Sequence, residues 1–231
     1  MIIEELFKLL NTQKPFNPYN FYRGKIFSAI EDSDSNIGIS AAPDFPKDDV
    51  GARLYLSRII MQCRINSLLN QMNSRLCEKD FVESINFEKS KNILMAGFIR
   101  SVYNKLINNN IKCNVFDLNK DADELLPVQN MNDYLKQADT IICTGTAFAN
   151  GSIDAMIKII KPNAYLYIIG PSAPLSTVLF DWIPQLKGIF GCIVQDKEIL
   201  SQILSDSIKN DFAGRLKKVC LLREVTFRDM S

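Results

Sequence analysis

The stretch that decides the fold runs from Ala138 to Ser176, ADTIICTGTAFANGSIDAMIKIIKPNAYLYIIGPSAPLS. It reads as strand, loop, helix, strand, loop. Asp139–Gly145 is an apolar strand that opens into Thr144-Gly145-Thr146, and Ala164–Gly170 is a second strand that opens into Gly170-Pro171-Ser172. Between them a helix over Ser152–Ile160 is stopped by Lys161-Pro162-Asn163, because proline cannot continue a helix. Two apolar strands joined by one helix are a parallel pair. Their loops then lie side by side at one edge of the sheet, where open α/β sheets bind ligands.

The same alternation extends in both directions. Ile93–Gly97 and Ile111–Leu118 read as strands around a helix over Phe98–Asn110, and a short helix over Asn132–Gln137 follows. Downstream come a helix over Leu175–Trp182, a strand over Gly188–Val194, a helix over Asp196–Lys209 and a further strand over Lys217–Val225. Strands alternating with helices imply an α/β fold with a doubly wound, mostly parallel sheet.

The first third is different. Ile2–Leu10 has the spacing of a short amphipathic helix, and the aromatic, proline-containing segment 11–24 reads as an ordered connection. Lys25–Glu31 and Asn36–Ala41 read as a hairpin, and Ala42–Asp49 as a turn-rich segment able to reach over a site. Val50–Lys79 carries one long helical pattern, with apolar residues at 56, 59, 60, 63, 68, 69, 72 and 76. We therefore expect two domains, a small α+β unit over 1–85 and an α/β unit over 86–231.

Composition excludes several classes. The net charge of +1 gives no attraction to nucleic acid or an anionic membrane. No run approaches the ~18 apolar residues of a membrane span, and the cytoplasm is the expected location. Histidine is absent, which removes His-activated nucleophiles and the usual zinc sites. The six cysteines have no CxxC spacing and are expected to be reduced, buried thiols. Ser172 has neither a His nor an adjacent Lys to activate it.

Candidate ligand contacts cluster at strand ends. Gly97 and Phe98 end the first strand of the α/β unit, and glycine there lets backbone approach a phosphate. Asp117 lies twenty residues on from Gly97, the spacing of a carboxylate that binds a ribose hydroxyl. Thr144, Gly145 and Thr146 offer hydroxyls around a tight turn, and Asn150, before Gly151, can turn towards the crevice. Gly170, Pro171, Ser172 and Pro174 form a stiffened loop, which lowers the ordering cost of binding. Ser152 and Asp154 read as a helix start.

In this order and spacing, Thr144-Gly145-Thr146, Asn150-Gly151-Ser152-Ile153-Asp154, Gly170-Pro171-Ser172-Ala173-Pro174-Leu175 and Gly191–Asp196 resemble the heavy-metal chelation family over about residues 90–210. The resemblance implies a Rossmann-like C-terminal domain, an N-terminal domain similar to that of enolases, a ligand site between the two, and a homodimer. It implies binding of a small molecule, a metal ion or a metal chelate in metal handling; at such a site Asp117 could bind a hydroxyl, an amine or a metal. The alternative is an enzyme of metallophore or small-molecule metabolism that holds an adenine-containing cofactor, a nucleotide or S-adenosylmethionine, at Gly97 and Asp117.

Overall fold

The computed structural model describes residues 1–41, 48–88, 90–118, 122–207 and 214–223. Its strands are β1 (Tyr19–Arg23), β2 (Phe27–Asp32), β3 (Ile37–Ala41), β4 (Ile93–Ala96), β5 (Asn114–Phe116), β6 (Thr140–Thr144), β7 (Tyr165–Ile169), β8 (Leu186–Val194) and β9 (Leu216–Leu222). Its α-helices are α1 (Ile2–Gln13), α2 (Asp49–Leu69), α3 (Phe81–Ser84), α4 (Arg100–Asn108), α5 (Met131–Gln137), α6 (Thr146–Asn150), α7 (Ser152–Met156), α8 (Val178–Trp182) and α9 (Glu198–Leu204).

The strands form two sheets. One is a six-stranded sheet in the order β5-β4-β6-β7-β8-β9, the other a three-stranded sheet β1-β2-β3. In the large sheet every pair is parallel except β8–β9. The fold is thus α/β, with a mostly parallel sheet and a smaller antiparallel one, as the alternating pattern predicts.

The period-2 alternation of the strands sorts the core into two layers. Leu94, Ala96, Ile141, Cys143, Leu166, Ile168 and Ile189 face the layer that includes α1 and α6–α8. Ile93, Met95, Ile142, Tyr167, Ile169 and Phe190 face the layer that includes Leu106 of α4 and Phe81 of α3. Helices on both sides explain why the strands are nearly continuous apolar runs. The buried face of α1, Ile3, Leu6 and Leu10, belongs to the large-sheet core.

Helix α2 lies against the small sheet. A Cβ on Gly38 of β3 would fall 1.9 Å from the Cys63 carbonyl oxygen, so glycine is what lets helix and strand backbones meet. The helix begins at Asp48, whose side chain accepts the Gly51 N–H at 2.7 Å. It ends at Leu69, ten residues earlier than the apolar pattern predicts. The Asn70 side chain is spent on bonds to other loops, its backbone has left the helical region, and Asn73 then starts a turn by accepting the Arg75 N–H.

Further differences stand out. Tyr19–Arg23 is an edge strand, not a connection; its exposed residues give no alternation to read. Phe81–Ser84 forms a short helix within the predicted connection. Cys77 and Cys220 are joined by a disulfide across 143 residues, correcting the expectation that all six cysteines are reduced; spacing along a chain carries no trace of so remote a partner. The helix expected over Asp196–Lys209 is shorter, Glu198–Leu204, and ends in a turn in which the Ser205 and Ser207 N–H groups donate to Ser201 O and Gln202 O. Most of Ala42–Asp49, with its expected reach over a site, and the end of the Lys217–Val225 strand fall outside the described residues.

Candidate functional site

The chain leaves β4 towards β5 on one side of the sheet, and the later strands β6 and β7 lie on the other. The strand order therefore reverses between β4 and β6. Outside the carboxyl ends of strands at such a switch point an open α/β sheet has its crevice.

Three glycines extend the strands evenly at that edge. Gly97 donates its N–H to Phe116 O at 2.8 Å, Gly145 to Ile169 O at 2.9 Å and Gly170 to Phe190 O at 2.9 Å. Gly97 (φ +92°) and Gly170 (φ +116°) take backbone conformations that L side chains avoid. Between them stands Thr144. A Cβ on Gly97 would lie 2.3 Å from its methyl carbon Cγ2, and a Cβ on Gly170 would lie 4.0 Å from its hydroxyl. Bare glycine on both sides leaves the half-buried Thr144 hydroxyl between two strand ends. Its oxygen lies 3.2 Å from the Thr146 hydroxyl, so β6 presents a pair of hydroxyls.

Asp117, one residue past β5, accepts the Phe98 N–H at 2.7 Å and ties together the loops that follow β4 and β5. The Phe98 ring is buried in the core, edge-on to Tyr103 and beneath the Arg100 guanidinium. Its backbone, and not its ring, is what Phe98 presents at the loop after β4. Helix α4 starts just beyond without a side-chain cap and without an acidic residue in its first turn.

The remaining predicted contacts serve the scaffold. Gly145 is so close to the next loop that a Cβ would meet Ala173 N at 2.5 Å. Ser172 is buried and its hydroxyl oxygen accepts the Ala41 N–H at 2.6 Å, tying the loop after β7 to the end of β3. Pro171 and Pro174 lie in that same loop, with Pro174 buried. Asn150 Oδ1 accepts the Ser152 N–H at 2.9 Å, which turns the chain through Gly151 (φ +79°) from α6 into α7. Asp154 caps a remote helix, its Oδ1 accepting the Ile2 N–H of α1 at 2.9 Å.

Sequence reasoning missed the group that holds these loops. Gln62 and Asn66 of α2 and Asn70 just past its end recur every four residues and form one stripe of amides. Gln62 Nε2 donates to Gly145 O at 2.8 Å and Ser172 O at 2.7 Å, while its Oε1 accepts the Ser40 hydroxyl at 2.8 Å. Asn66 Nδ2 donates to Ile39 O at 2.8 Å and Ser172 O at 3.1 Å. Asn70 Nδ2 donates to Ala173 O and Cys192 O, both at 3.1 Å, and its Oδ1 accepts the Leu175 N–H at 3.1 Å. All three side chains are buried. The available signal was the four-residue spacing of amides inside a helix whose neighbouring positions are apolar.

The donor set does not fit a metal ion held by side chains alone. Among the described residues no group of three or more His, Cys, Asp or Glu converges. Burial pushes the Cys143 thiol up to about 12 and the Cys63 thiol higher still, so neither offers the thiolate that soft metals require.

Fold and crevice together define a Rossmann-like α/β protein with a candidate ligand site at its switch point. The chain belongs to the family described as "Putative heavy-metal chelation", DUF364, which matches residues 80–220. It is similar over 96% of its length to a DUF364 protein of unknown function from Desulfitobacterium hafniense DCB-2, covering 98% of that chain at 16% identity and a TM-score of 0.75. It is likewise similar to one from Pyrococcus horikoshii, covering 96% of this chain and 100% of that one at 15% identity and a TM-score of 0.79. Among curated proteins none matches.

Proposed function

We propose that the protein binds a small polar molecule or a preformed metal chelate at the switch point, between a small unit, 1–85, and a Rossmann-like unit, 86–231. The observation that carries this reading is Thr144, set between the positive-φ glycines Gly97 and Gly170. A threonine hydroxyl both donates and accepts, and with Thr146 beside it the pair suits an oxygen-rich ligand. Gly97, Phe98 and Gly170 bring backbone to the ligand. Asp117 borders it, and Gly145, Asn150, Pro171, Ser172 and Pro174 hold the loops in shape. The family's description points to metal chelation, whereas among the described residues no side-chain cluster converges to hold a bare ion. A chelate reconciles the two, because a chelate brings its own donors and asks of the protein only hydrogen bonds.

A second reading is favoured by one observation. Asp117 stands at the end of β5, the strand beside β4, where a dinucleotide-binding fold keeps its ribose carboxylate. On that reading the crevice holds an adenine-containing cofactor. Thermal melting separates the two. A ligand that binds only the folded state raises stability by about 2.7 kcal/mol at a hundred times its Kd, or roughly 5–10 °C at this chain length. The binding reading expects that rise with nickel citrate and none with nickel ion alone. Stabilisation by ATP or S-adenosylmethionine in place of the chelate selects the cofactor reading. A flat response to all four refutes both.

A further inference from the structure

We infer that the Cys77–Cys220 disulfide is a redox latch on the loop that follows β7, with Asn70 as the link between them. The inference rests on the proposed switch-point site for its functional meaning, not for its structural test. Cys220 lies on β9, the edge strand of the large sheet, and Cys77 sits on the side of β9 away from β8. There the two residues exchange backbone bonds, Cys77 N to Cys220 O at 2.9 Å and Cys220 N to Cys77 O at 2.7 Å, beside the disulfide. Lys217 of the same strand pairs with Glu78 at 2.6 Å. These contacts pin residues 77–78 to a strand edge.

Seven residues upstream is Asn70, which holds Ala173 O, Cys192 O and the Leu175 N–H. The intervening chain is short and internally bonded, with Asn73 accepting from Arg75 and Leu76 N donating to Asn73 O. It cannot slacken at one end without disturbing the other. Gly170, a wall of the crevice, opens the loop that Asn70 grips. The covalent bond is thus coupled through a short stiff segment to the shape of the proposed site.

The two sulfurs differ in access. Cys220 is fully buried, whereas Cys77 is half-buried, so attack falls on Cys77. A dithiol reductant supplies the electrons. Its thiolate attacks Cys77 Sγ, the S–S bond breaks, and Cys220 leaves as a thiolate that takes a proton. The second reductant thiol then displaces Cys77, closing the reductant's own disulfide and leaving two protein thiols. The edge of β9 then keeps two backbone bonds and one ion pair, contacts that fray at a strand edge.

The test compares air-oxidised protein with the same protein in dithiothreitol, by thiol titration after denaturation and by hydrogen exchange of the peptide containing Leu175. The latch predicts four thiols before reduction and six after. It predicts roughly tenfold or faster exchange at Leu175 in the reduced state, with β6 and β7 unchanged. Cys77→Ser should reproduce the reduced behaviour, and Cys113→Ser, outside the latch, should not. If Cys77→Ser fails to fold, the dithiothreitol comparison on folded wild type carries the test. Six thiols in the oxidised protein would overturn the latch, as would equal Leu175 exchange in both states. Loss of protection throughout the sheet would also overturn it, by making the bond a staple of the whole fold. No ligand enters this measurement, so its failure leaves the binding proposal standing.

Discussion

Replacing Gln62 by methionine tests whether the amide stripe of α2 holds the crevice loops. The side chain is fully buried and makes three hydrogen bonds, two donated to Gly145 O and Ser172 O and one accepted from Ser40. Methionine fills similar volume and makes none. Each partner keeps a second contact, however. Gly145 O still accepts from Phe148 N at 3.3 Å, Ser172 O from Asn66 at 3.1 Å, and the Ser40 hydroxyl still reaches Ala41 O at 3.1 Å. The loss is therefore the net worth of three bonds, about 0.5–1.5 kcal/mol each, without the larger penalty of a stranded buried group. We expect about 2–4 kcal/mol, a fall in Tm of roughly 4–16 °C at this length, measured by urea denaturation and thermal melting. Gln62→Glu sharpens the test. A buried glutamate facing two carbonyls has its pKa raised, so the acid form is favoured in the fold. That contribution is fully present below the unfolded value of about 4.3 and is lost as pH rises through the folded value. Gln62→Glu should therefore weaken progressively between pH 4 and pH 7 relative to Gln62→Met. A Gln62→Met cost below about 0.5 kcal/mol, within the range of an ordinary surface change, would mean that the amide stripe does not hold the loops.

Three other expectations follow from single residues. Gly97→Ala must place a side chain at φ +92° against the Thr144 methyl; left-handed backbone costs about 1–2 kcal/mol before the overlap is counted. Adding Thr144→Ser should recover only part of the loss, read as non-additivity in a double-mutant cycle by urea denaturation. Asn150→Ala removes the acceptor for Ser152 N and should cost about 1 kcal/mol, while Asn150→Asp keeps that acceptor and most of the stability, a difference thermal melting resolves. Lys161 donates to Asp139 and is the main reason its carboxyl lies below the ordinary range, helped against burial by the Asn92 and Lys91 N–H groups. A depressed folded pKa gives stability above the unfolded value and loses it as pH falls through the folded one. Asp139→Asn should thus melt lower than wild type at pH 6, and the gap should close below about pH 3.9.

The large sheet was legible because its strands are buried on both faces and its helices are short, so hydrophobicity switches at every boundary. The hairpin β2–β3 was legible for the same reason, its DSDS link standing between two apolar runs. What escaped reading depends on partners remote in sequence. Helix α2 stops where Asn70 turns to bond Ala173 and Leu175, and Cys77 meets Cys220 only after the sheet has formed. That Gly97, Thr144 and Gly170 stand at neighbouring strand ends could be read from the strand pattern with its glycines and threonine alone. That Ser172 and Asn150 serve the scaffold could not, because their partners, Ala41 N and Ser152 N, are backbone groups that carry no sequence signature.

The most direct measurement is a crystal structure of the protein soaked with whichever of nickel citrate, ATP or S-adenosylmethionine raises its melting temperature. Density is expected beyond the carboxyl ends of β4, β6 and β7, within hydrogen-bond reach of the Thr144 and Thr146 hydroxyls and against the backbone of Gly97 and Gly170. Density confined to the pocket lined by Lys14, Tyr19 and Arg64, with the Thr144 hydroxyl untouched, would contradict the proposed site.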